Sequence, residues 1–229
     1  MKSYRGRVSG WRHAIRIVYR HSDILLLSEE PIPSGPACER LKELWSELEG
    51  YIARHPIFKM SLEPVDPSPP VPDIVAKMCS AAEAAGVGPM AGVAGAFAEE
   101  ICQAYEGDMA IENGGDVFIR TGEERVAEAF IGNPKLPSLR LVIPPGRWGI
   151  ATSSGRLGPS LSLGNAWAAT VVAESGALAD AWATRLGNEL GPGVPVREAM
   201  EAIKGQDGVL GAILAGDTEI AAWGLRLAQ

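Results

Sequence analysis

The spacing of apolar residues in the first third of the chain predicts a hairpin, a helix and a connector. Residues 13–27 alternate apolar and polar positions and then become continuously apolar, with a break at 21–23, which predicts a β-hairpin. In residues 38–54, apolar positions recur at three- and four-residue spacing, which predicts an amphipathic helix. Five prolines in residues 64–72 remove backbone donors and fix φ, so this stretch is predicted to be an extended connector.

Beyond the connector, the pattern predicts helices first and then a cluster of strands. Helices are predicted at 73–85, 91–105, 178–190 and 196–204. Strands are predicted at 109–112, 117–120, 126–130, 139–143, 149–152 and 168–173, followed by a closing hairpin of 209–214 and 220–227. Because the strands do not alternate strictly with helices, an α+β fold is favoured over a doubly wound sheet. We expect a mixed sheet with packed helices.

The proline-rich connector is the best candidate for a domain boundary, but the 63 residues before it are a small basis for an independent core. We therefore predict a single domain over residues 1–229. Its parts are an N-terminal hairpin and helix (1–63), the connector (64–72) and a core that carries the candidate motifs (73–229).

Composition and charge exclude several classes of function. The formal net charge is -7, whereas nucleic-acid binding needs a concentrated positive field to contact phosphates. No apolar run approaches the roughly 18 residues that a membrane span requires, and the N-terminus lacks the pattern of a signal peptide. The three cysteines form no CxxC pair, as expected of reduced thiols. We expect a cytoplasmic protein with no nucleic-acid or membrane partner.

The first candidate segment is Glu112-Asn113-Gly114-Gly115-Asp116, between two predicted strands. Two adjacent glycines allow φ > 0 and let the backbone approach a ligand closely, so Asn113, Gly114 and Gly115 are candidate cofactor-binding residues. The carboxylates of Glu112 and Asp116 are candidate general bases. The alternative is a tight Asn-Gly hairpin turn with no ligand.

The second candidate segment, Thr152-Ser153-Ser154-Gly155, follows a predicted strand. Hydroxyls and free amides in such a loop can cradle a phosphate or carboxylate. No GK[ST] follows, so the segment is not a P-loop. Ser160 and Ser162 extend the run of small polar residues. The alternative is a Ser/Gly loop whose hydroxyls bond to their own backbone.

The third candidate segment is a predicted helix that carries Asp180 and Thr184. Four residues apart, their oxygens project from one helical face, where they suit a hard cation such as Mg²⁺. The alternative is that Asp180 only complements the dipole in the first turn of its own helix.

In this order, the segments resemble motifs of the ApbE-like family of FAD:protein FMN transferases. That family has a GIAKG-type helix start, an NxGGD-type turn, an ATSG loop and an ADALAT-type helix. The corresponding stretches here are 92–96 (GVAGA), 112–116 (ENGGD), 151–155 (ATSSG) and 179–184 (ADAWAT). The resemblance extends from about residue 88 to residue 188. It is strongest to a branch with ENGGD, TSSG and a GHSLSFGKADA-like run, which reads GPSLSLGNAWA at 158–168.

The resemblance implies a ligand, a metal and its donors. Transferases of this family bind FAD with Mg²⁺, cleave its pyrophosphate and attach FMN to a threonine of a partner protein. Their metal ligands would correspond to Asp180, Thr184 and the backbone carbonyl of Ala94. The resemblance therefore implies FAD or FMN and Mg²⁺ as cofactors, with a small phosphorylated or anionic ligand as the partner.

Several family positions differ in this chain. The transferase histidine and DPRTG segment are absent, and no histidine follows His55. Gly95 replaces the lysine of GIAKG, while Pro159, Asn165 and Trp167 replace the histidine, lysine and aspartate of the related branch. Ligand binding is therefore expected over transfer, and enzymatic activity is left open. The alternatives are an enzyme with a carboxylate base acting on a small anionic metabolite, or a non-catalytic module that buries residues 92–96 in a homodimer.

Overall fold

The computed structural model describes residues 10–156 and 164–228; Pro159, Ser160 and Ser162 lie outside the described residues. The described part of the chain opens with a hairpin and a series of helices. The strands β1 and β2 are followed by helices α1 to α4, with a 3₁₀ turn just before α4. Their bounds are β1 His13–Tyr19, β2 Ser22–Ser28, α1 Gly35–Arg54, α2 Ile57–Met60, α3 Asp73–Ala85, the 3₁₀ turn Pro89–Gly92 and α4 Val93–Cys102.

The second half of the chain contains most of the strands. In order, the elements are β3 Met109–Asn113, β4 Asp116–Thr121, β5 Arg125–Ala129, β6 Leu139–Ile143, β7 Gly146–Ser153, β8 Ala168–Ala173, α5 Gly176–Glu189, α6 Val196–Ala199, a 3₁₀ turn Met200–Ala202, β9 Val209–Ala215, β10 Ile220–Trp223 and β11 Arg226–Leu227. The α+β class is confirmed.

An eight-stranded sheet forms the centre of the molecule, in the order β1-β2-β3-β4-β7-β8-β9-β10. The helices pack on one face, where Leu44, Met78 and Leu186 join buried residues of the sheet. A three-stranded sheet, β11-β6-β5, packs on the other face through residues such as Ala127 and Leu141. The central sheet therefore separates two hydrophobic layers.

Every strand pair in the described residues is antiparallel, which corrects the expectation of a mixed sheet. Short hairpin turns require antiparallel neighbours, as in β3–β4. A long connection allows either direction, and the β2–β3 connection contains four helices. The apolar pattern therefore could not specify the direction of β3 relative to β2.

Several predicted elements differ in detail. The helix predicted at 196–204 is the short α6 followed by a 3₁₀ turn that ends at Ala202. The first hairpin turns at Arg20 and His21, one to two residues earlier than predicted. The predicted helix 91–105 is a 3₁₀ turn followed by α4. The closing hairpin stops at Trp223, because Gly224 takes a left-handed φ of 72° and β11 then joins the smaller sheet. Within the described residues, no helix is long and apolar enough to cross a membrane.

Candidate ligand-binding site

One end of the large sheet brings the candidate segments together. β3 ends at Asn113 and β4 begins at Asp116, and these two residues pair across the glycine turn. β7 is antiparallel to β4, so its last residues, Thr152 and Ser153, lie at this same end of the sheet. The ENGGD turn and the TSSG loop, separated in sequence, are therefore neighbours in space.

Asp180 joins this end of the sheet by bonding to the beginning of α4. Its Oδ2 accepts hydrogen bonds from the backbone N–H groups of Ala94 at 3.1 Å and Gly95 at 3.0 Å. The Asn113 side chain donates to the Ala94 carbonyl at 3.2 Å. Thr184 is half-buried one turn further along α5. Three of the predicted residues, Ala94, Asn113 and Asp180, thus form one connected cluster.

The alternative role for Asp180, in the first turn of its own helix, is taken by another residue. Ser175 is the N-cap of α5, and its hydroxyl accepts from the backbone N–H of Leu178 at 3.1 Å. Asp180 instead accepts from the first turn of α4, where free N–H groups and the helix dipole favour a negative charge. Its carboxylate therefore links the two helices.

The beginnings of α4 and α5 are in close backbone contact. A Cβ added to Gly95 would lie 2.0 Å from the Gly176 carbonyl oxygen, and a Cβ added to Gly176 would lie 2.1 Å from that of Gly95. Glu99 of α4 accepts from the Gly176 N–H at 2.9 Å, which mirrors the bond from α4 to Asp180. The small-residue stretch 92–96 therefore packs inside the protomer at Gly95. Burying this part of it does not require a homodimer, and the homodimer stays a prediction.

Asp116 lies at the same end of the sheet as Asp180, near enough for its charge to act on the Asp180 carboxyl, and is bonded to the TSSG loop. Its Oδ1 accepts from the Thr152 N–H at 3.0 Å, and the Thr152 hydroxyl bonds to that of Thr170 at 2.9 Å. Burial of the carboxyl raises the pKa of Asp116 to about 7; the Thr152 bond lowers it, and the charge of Glu112 raises it further. Burial and then the charge of Asp116 raise the pKa of Asp180 well above its ordinary value, against the two bonds from α4.

The two candidate bases lie on opposite faces of the sheet. Glu112 pairs with Val117, and Val117 belongs to the layer that faces the smaller sheet. Asn113 and Asp116 form the next pair, so they point toward the helices. The structure therefore brings Asp116, and not Glu112, to the same side as Asp180.

The two candidate loops also show the features expected of loops that bind no ligand, namely a tight Asn-Gly turn and serine bonds to the local backbone. Gly114 and Gly115 have φ of 70° and 118° and form the tight hairpin turn that an Asn-Gly pair predicts. Gly114 is exposed, and no protein atom lies within 4 Å of where its Cβ would be, so its backbone is open to a ligand. In the TSSG loop, the buried Ser154 accepts from the backbone N–H of Arg156 at 3.2 Å.

A histidine that the sequence did not connect with the motifs also lies at this end of the sheet. Ile24 of β2 pairs with Asn113, which places the β1–β2 turn, with His21 at its tip, beside the glycine turn. No signal in the sequence predicts this proximity, because it depends on pairing between strands that four helices separate. The capping of α5 by Glu99 has no local signal either, because it joins two helices that lie far apart in the sequence.

The sequence matches the family described as AbpE bacteria over residues 7–214. The chain belongs to this family, within the ApbE-like superfamily. It is similar to UPF0280 proteins of Methanocella arvoryzae (36% identity, 88% of this chain and 84% of the relative) and Methanosphaerula palustris (39% identity, 90% and 88%).

Solved ApbE structures have the same fold as this ApbE-like chain. The flavin transferase ApbE of Vibrio cholerae, as its H257G mutant, superposes with a TM-score of 0.59 over 92% of this chain and 96% of its own. The apo form of the Pseudomonas stutzeri flavinyl transferase ApbE gives 0.56 over 92% and 93%. Both are 12% identical to this chain, so they establish the fold alone.

Proposed function

We propose that this ApbE-like protein binds a phosphorylated flavin or nucleotide together with Mg²⁺ at the junction of α4, α5 and the glycine turn. The observation that carries the proposal is the clustering of Asp180, Asp116 and the Ala94 carbonyl at one sheet end. Two acidic side chains held close together repel each other, and a divalent cation would relieve that repulsion.

The residues present fit a small hard cation. Mg²⁺ prefers one or two carboxylates and keeps its other positions for water and substrate phosphates. Asp180 would supply a carboxylate oxygen, Thr184 a hydroxyl and Ala94 its carbonyl, where the cation would take the place of the Asn113 amide that now donates to it. Bound there, the cation would neutralise the charge on a phosphate.

The glycine turn beside these donors suits the ligand's phosphates. The glycine turn is exposed at Gly114, so a phosphate oxygen can approach its backbone. Across β4 and β7, Thr152 already donates its N–H to Asp116 and bonds its hydroxyl to Thr170, so it would shape the site and would not donate to a phosphate. A ligand bound at this turn would be oriented by the rigid end of the sheet.

A flavin is the favoured ligand because the solved structures with this fold include flavin transferases. We propose binding rather than FMN transfer, since the transferase histidine and DPRTG segment are absent from the sequence. A second candidate is an enzyme acting on a small anionic metabolite with Asp116 as general base. The raised pKa of Asp116, about 7, favours it, because such a carboxylate can exchange a proton near neutral pH.

Titration of FAD and FMN into the protein, with and without Mg²⁺, tests the proposal. Flavin fluorescence reports the ligand, while Trp148 and Trp167, on either side of the TSSG loop in sequence, report the protein. We expect saturable FAD binding that requires Mg²⁺. If neither flavin binds under any of these conditions, the flavin proposal is wrong, and small anionic metabolites become the next ligands to titrate.

A further inference from the structure

The turn between β1 and β2 brings a histidine to the edge of the proposed site. β2 and β3 pair with Ile24 opposite Asn113, the last residue before the glycine turn, and β2 extends two residues further toward that end of the sheet, to Ser22. His21 is the next residue and is exposed at the tip of the turn. Its neighbour across the sheet is therefore the glycine turn.

Contacts with the helices fix the side of the sheet on which the His21 ring lies. The ring packs edge-on against Trp45 of α1, with centroids 5.6 Å apart. Trp45 donates its indole N–H to the Ser22 hydroxyl at 3.1 Å and packs against Phe97 at 5.3 Å. Phe97 lies three residues after Ala94 in α4, so His21 is on the same side of the sheet as Ala94 and Asp180.

The backbone beside His21 is held in an unusual conformation. Arg20 has a φ of 52°, in the left-handed region that residues other than glycine seldom adopt. Its guanidinium forms an ion pair with Glu49 of α1, which ties the turn to the helix layer. Such a conformation persists only where surrounding contacts maintain it, and it often occurs at functional sites.

We infer that His21 contacts the ligand of this site and donates an imidazole N–H to one of its anionic oxygens. This inference rests on the proposed function. Asp116 and Asp180 at the centre can only accept hydrogen bonds when ionised, so an anionic ligand needs donors from elsewhere. His21 supplies one from the N-terminal hairpin, in a chain whose core after His55 contains no histidine.

Histidine NMR of the full chain tests this inference, because the sequence has only three histidines: His13, His21 and His55. The spectrum of His21→Phe assigns the missing signal. On titration with FAD and Mg²⁺ we expect the His21 imidazole signal to shift saturably, in parallel with the tryptophan fluorescence. The signals of His13 and His55 should not move.

Two matched variants give an independent readout. His21→Phe keeps an aromatic ring against Trp45 but has no donor, and we expect its affinity for FAD to fall about tenfold. His55→Phe changes a ring that contacts Tyr51 at 4.5 Å, and it should bind FAD like the wild type.

The outcomes separate this inference from the function on which it rests. If FAD binds but the His21 signal stays fixed and His21→Phe binds normally, His21 is only a packing residue and the inference is overturned. If the wild type binds no FAD, both the inference and the proposed function fail. Should His21→Phe not fold, the spectra of His13→Phe and His55→Phe assign the His21 signal by elimination, and its shift in the wild type decides the matter.

Discussion

At the scale of single residues, Asp180 has a structural contact and a proposed ligand contact on the same carboxylate. Its Oδ2 accepts from two N–H groups in the first turn of α4, so loss of binding in Asp180→Ala would not by itself show metal coordination. Asparagine separates the two contributions, because it keeps an oxygen that can accept from α4 and loses the charge.

We predict different results for the two substitutions of Asp180. Asp180→Ala removes the acceptor at the helix start and should lower the free energy of unfolding by about 1 kcal/mol, as the loss of a capping group does. Asp180→Asn should stay within about 0.5 kcal/mol of the wild type. Both should abolish Mg²⁺-dependent FAD binding. Urea unfolding measures the first effect and the flavin titration the second.

Two results would contradict these expectations. Retained Mg²⁺-dependent binding by Asp180→Asn would exclude the carboxylate as a metal ligand. Equal destabilisation by alanine and asparagine would show that the charge, and not the accepting oxygen, stabilises the start of α4. A Thr184→Val control, which keeps the shape and removes the hydroxyl, should weaken binding less than either substitution of the charged ligand.

At the scale of elements, the contact between α4 and α5 requires glycine on both sides. The two helix starts approach so closely that a Cβ on either Gly95 or Gly176 would lie about 2 Å from a backbone oxygen of the other. Each helix also bonds to a carboxylate of its partner, Asp180 in one direction and Glu99 in the other. The position of Asp180 relative to Ala94 therefore depends on this contact.

We predict that Gly95→Ala destabilises the protein by about 3 kcal/mol, because the clash is with the main chain and cannot be relieved by rotating a side chain. Gly50→Ala in α1 is a matched control. Its Cβ would meet only the end of the Arg54 side chain, at 3.8 Å, so alanine should stabilise that helix by roughly 0.5–1 kcal/mol. Urea unfolding measures both. If Gly95→Ala and Gly50→Ala changed the free energy of unfolding equally, the close backbone contact between α4 and α5 would be refuted.

The same contact shows which parts of the structure the sequence could predict. The bounds of α3, β6 and β8 follow from local periodicity, and Gly86 ends α3 with a left-handed φ of 67° as such a glycine should. The cluster of small residues at 92–96 was recognised, but its partner was not. Which surface buries a glycine face depends on the packing of helices far apart in sequence, and no local pattern records it.

The candidate site, too, could be predicted from the sequence only in part. The motifs placed Ala94, Asn113 and Asp180 together, and their hydrogen bonds agree with that expectation. Glu112 and Asp116 looked equivalent as candidate bases, because both flank the same turn. Their separation onto two faces follows from the position of the turn: β3 continues to Asn113, and the side-chain alternation then sends Glu112 to the opposite face.

At the scale of the whole molecule, the site's acidic groups influence global stability. The folded protein holds Asp116 and Asp180 with raised pKa values, whereas both titrate near 3.9 in the unfolded chain. Between about pH 4 and pH 7 the folded state therefore binds more protons than the unfolded state. The contribution of these groups to stability is present at low pH and is lost as the pH rises.

We predict that the apo protein loses about 1–2 kcal/mol of unfolding free energy through Asp116 between pH 5 and pH 8, after allowance for solvent screening. Asp116→Asn keeps an oxygen for the Thr152 N–H and cannot ionise, so its stability should fall less over this range. Glu106→Gln, an exposed acidic position on the loop after α4, should retain the wild-type pH dependence. Urea unfolding at the two pH values measures the difference.

In the same urea experiment, Mg²⁺ should stabilise the folded protein at high pH, where ionisation of the acidic groups destabilises it. A cation that binds the ionised carboxylates stabilises the folded state most where they are deprotonated, so Mg²⁺ should raise the unfolding midpoint more at pH 8 than at pH 5. This gain comes from Mg²⁺ bound to the carboxylates of the folded state. It should therefore disappear in Asp180→Asn, which lacks one of these charges. If Mg²⁺ stabilised wild type and Asp180→Asn equally at both pH values, the cation would be acting on the surface charge of an acidic protein. The Asp116–Asp180 pair would then be a repulsion that the fold tolerates without a metal.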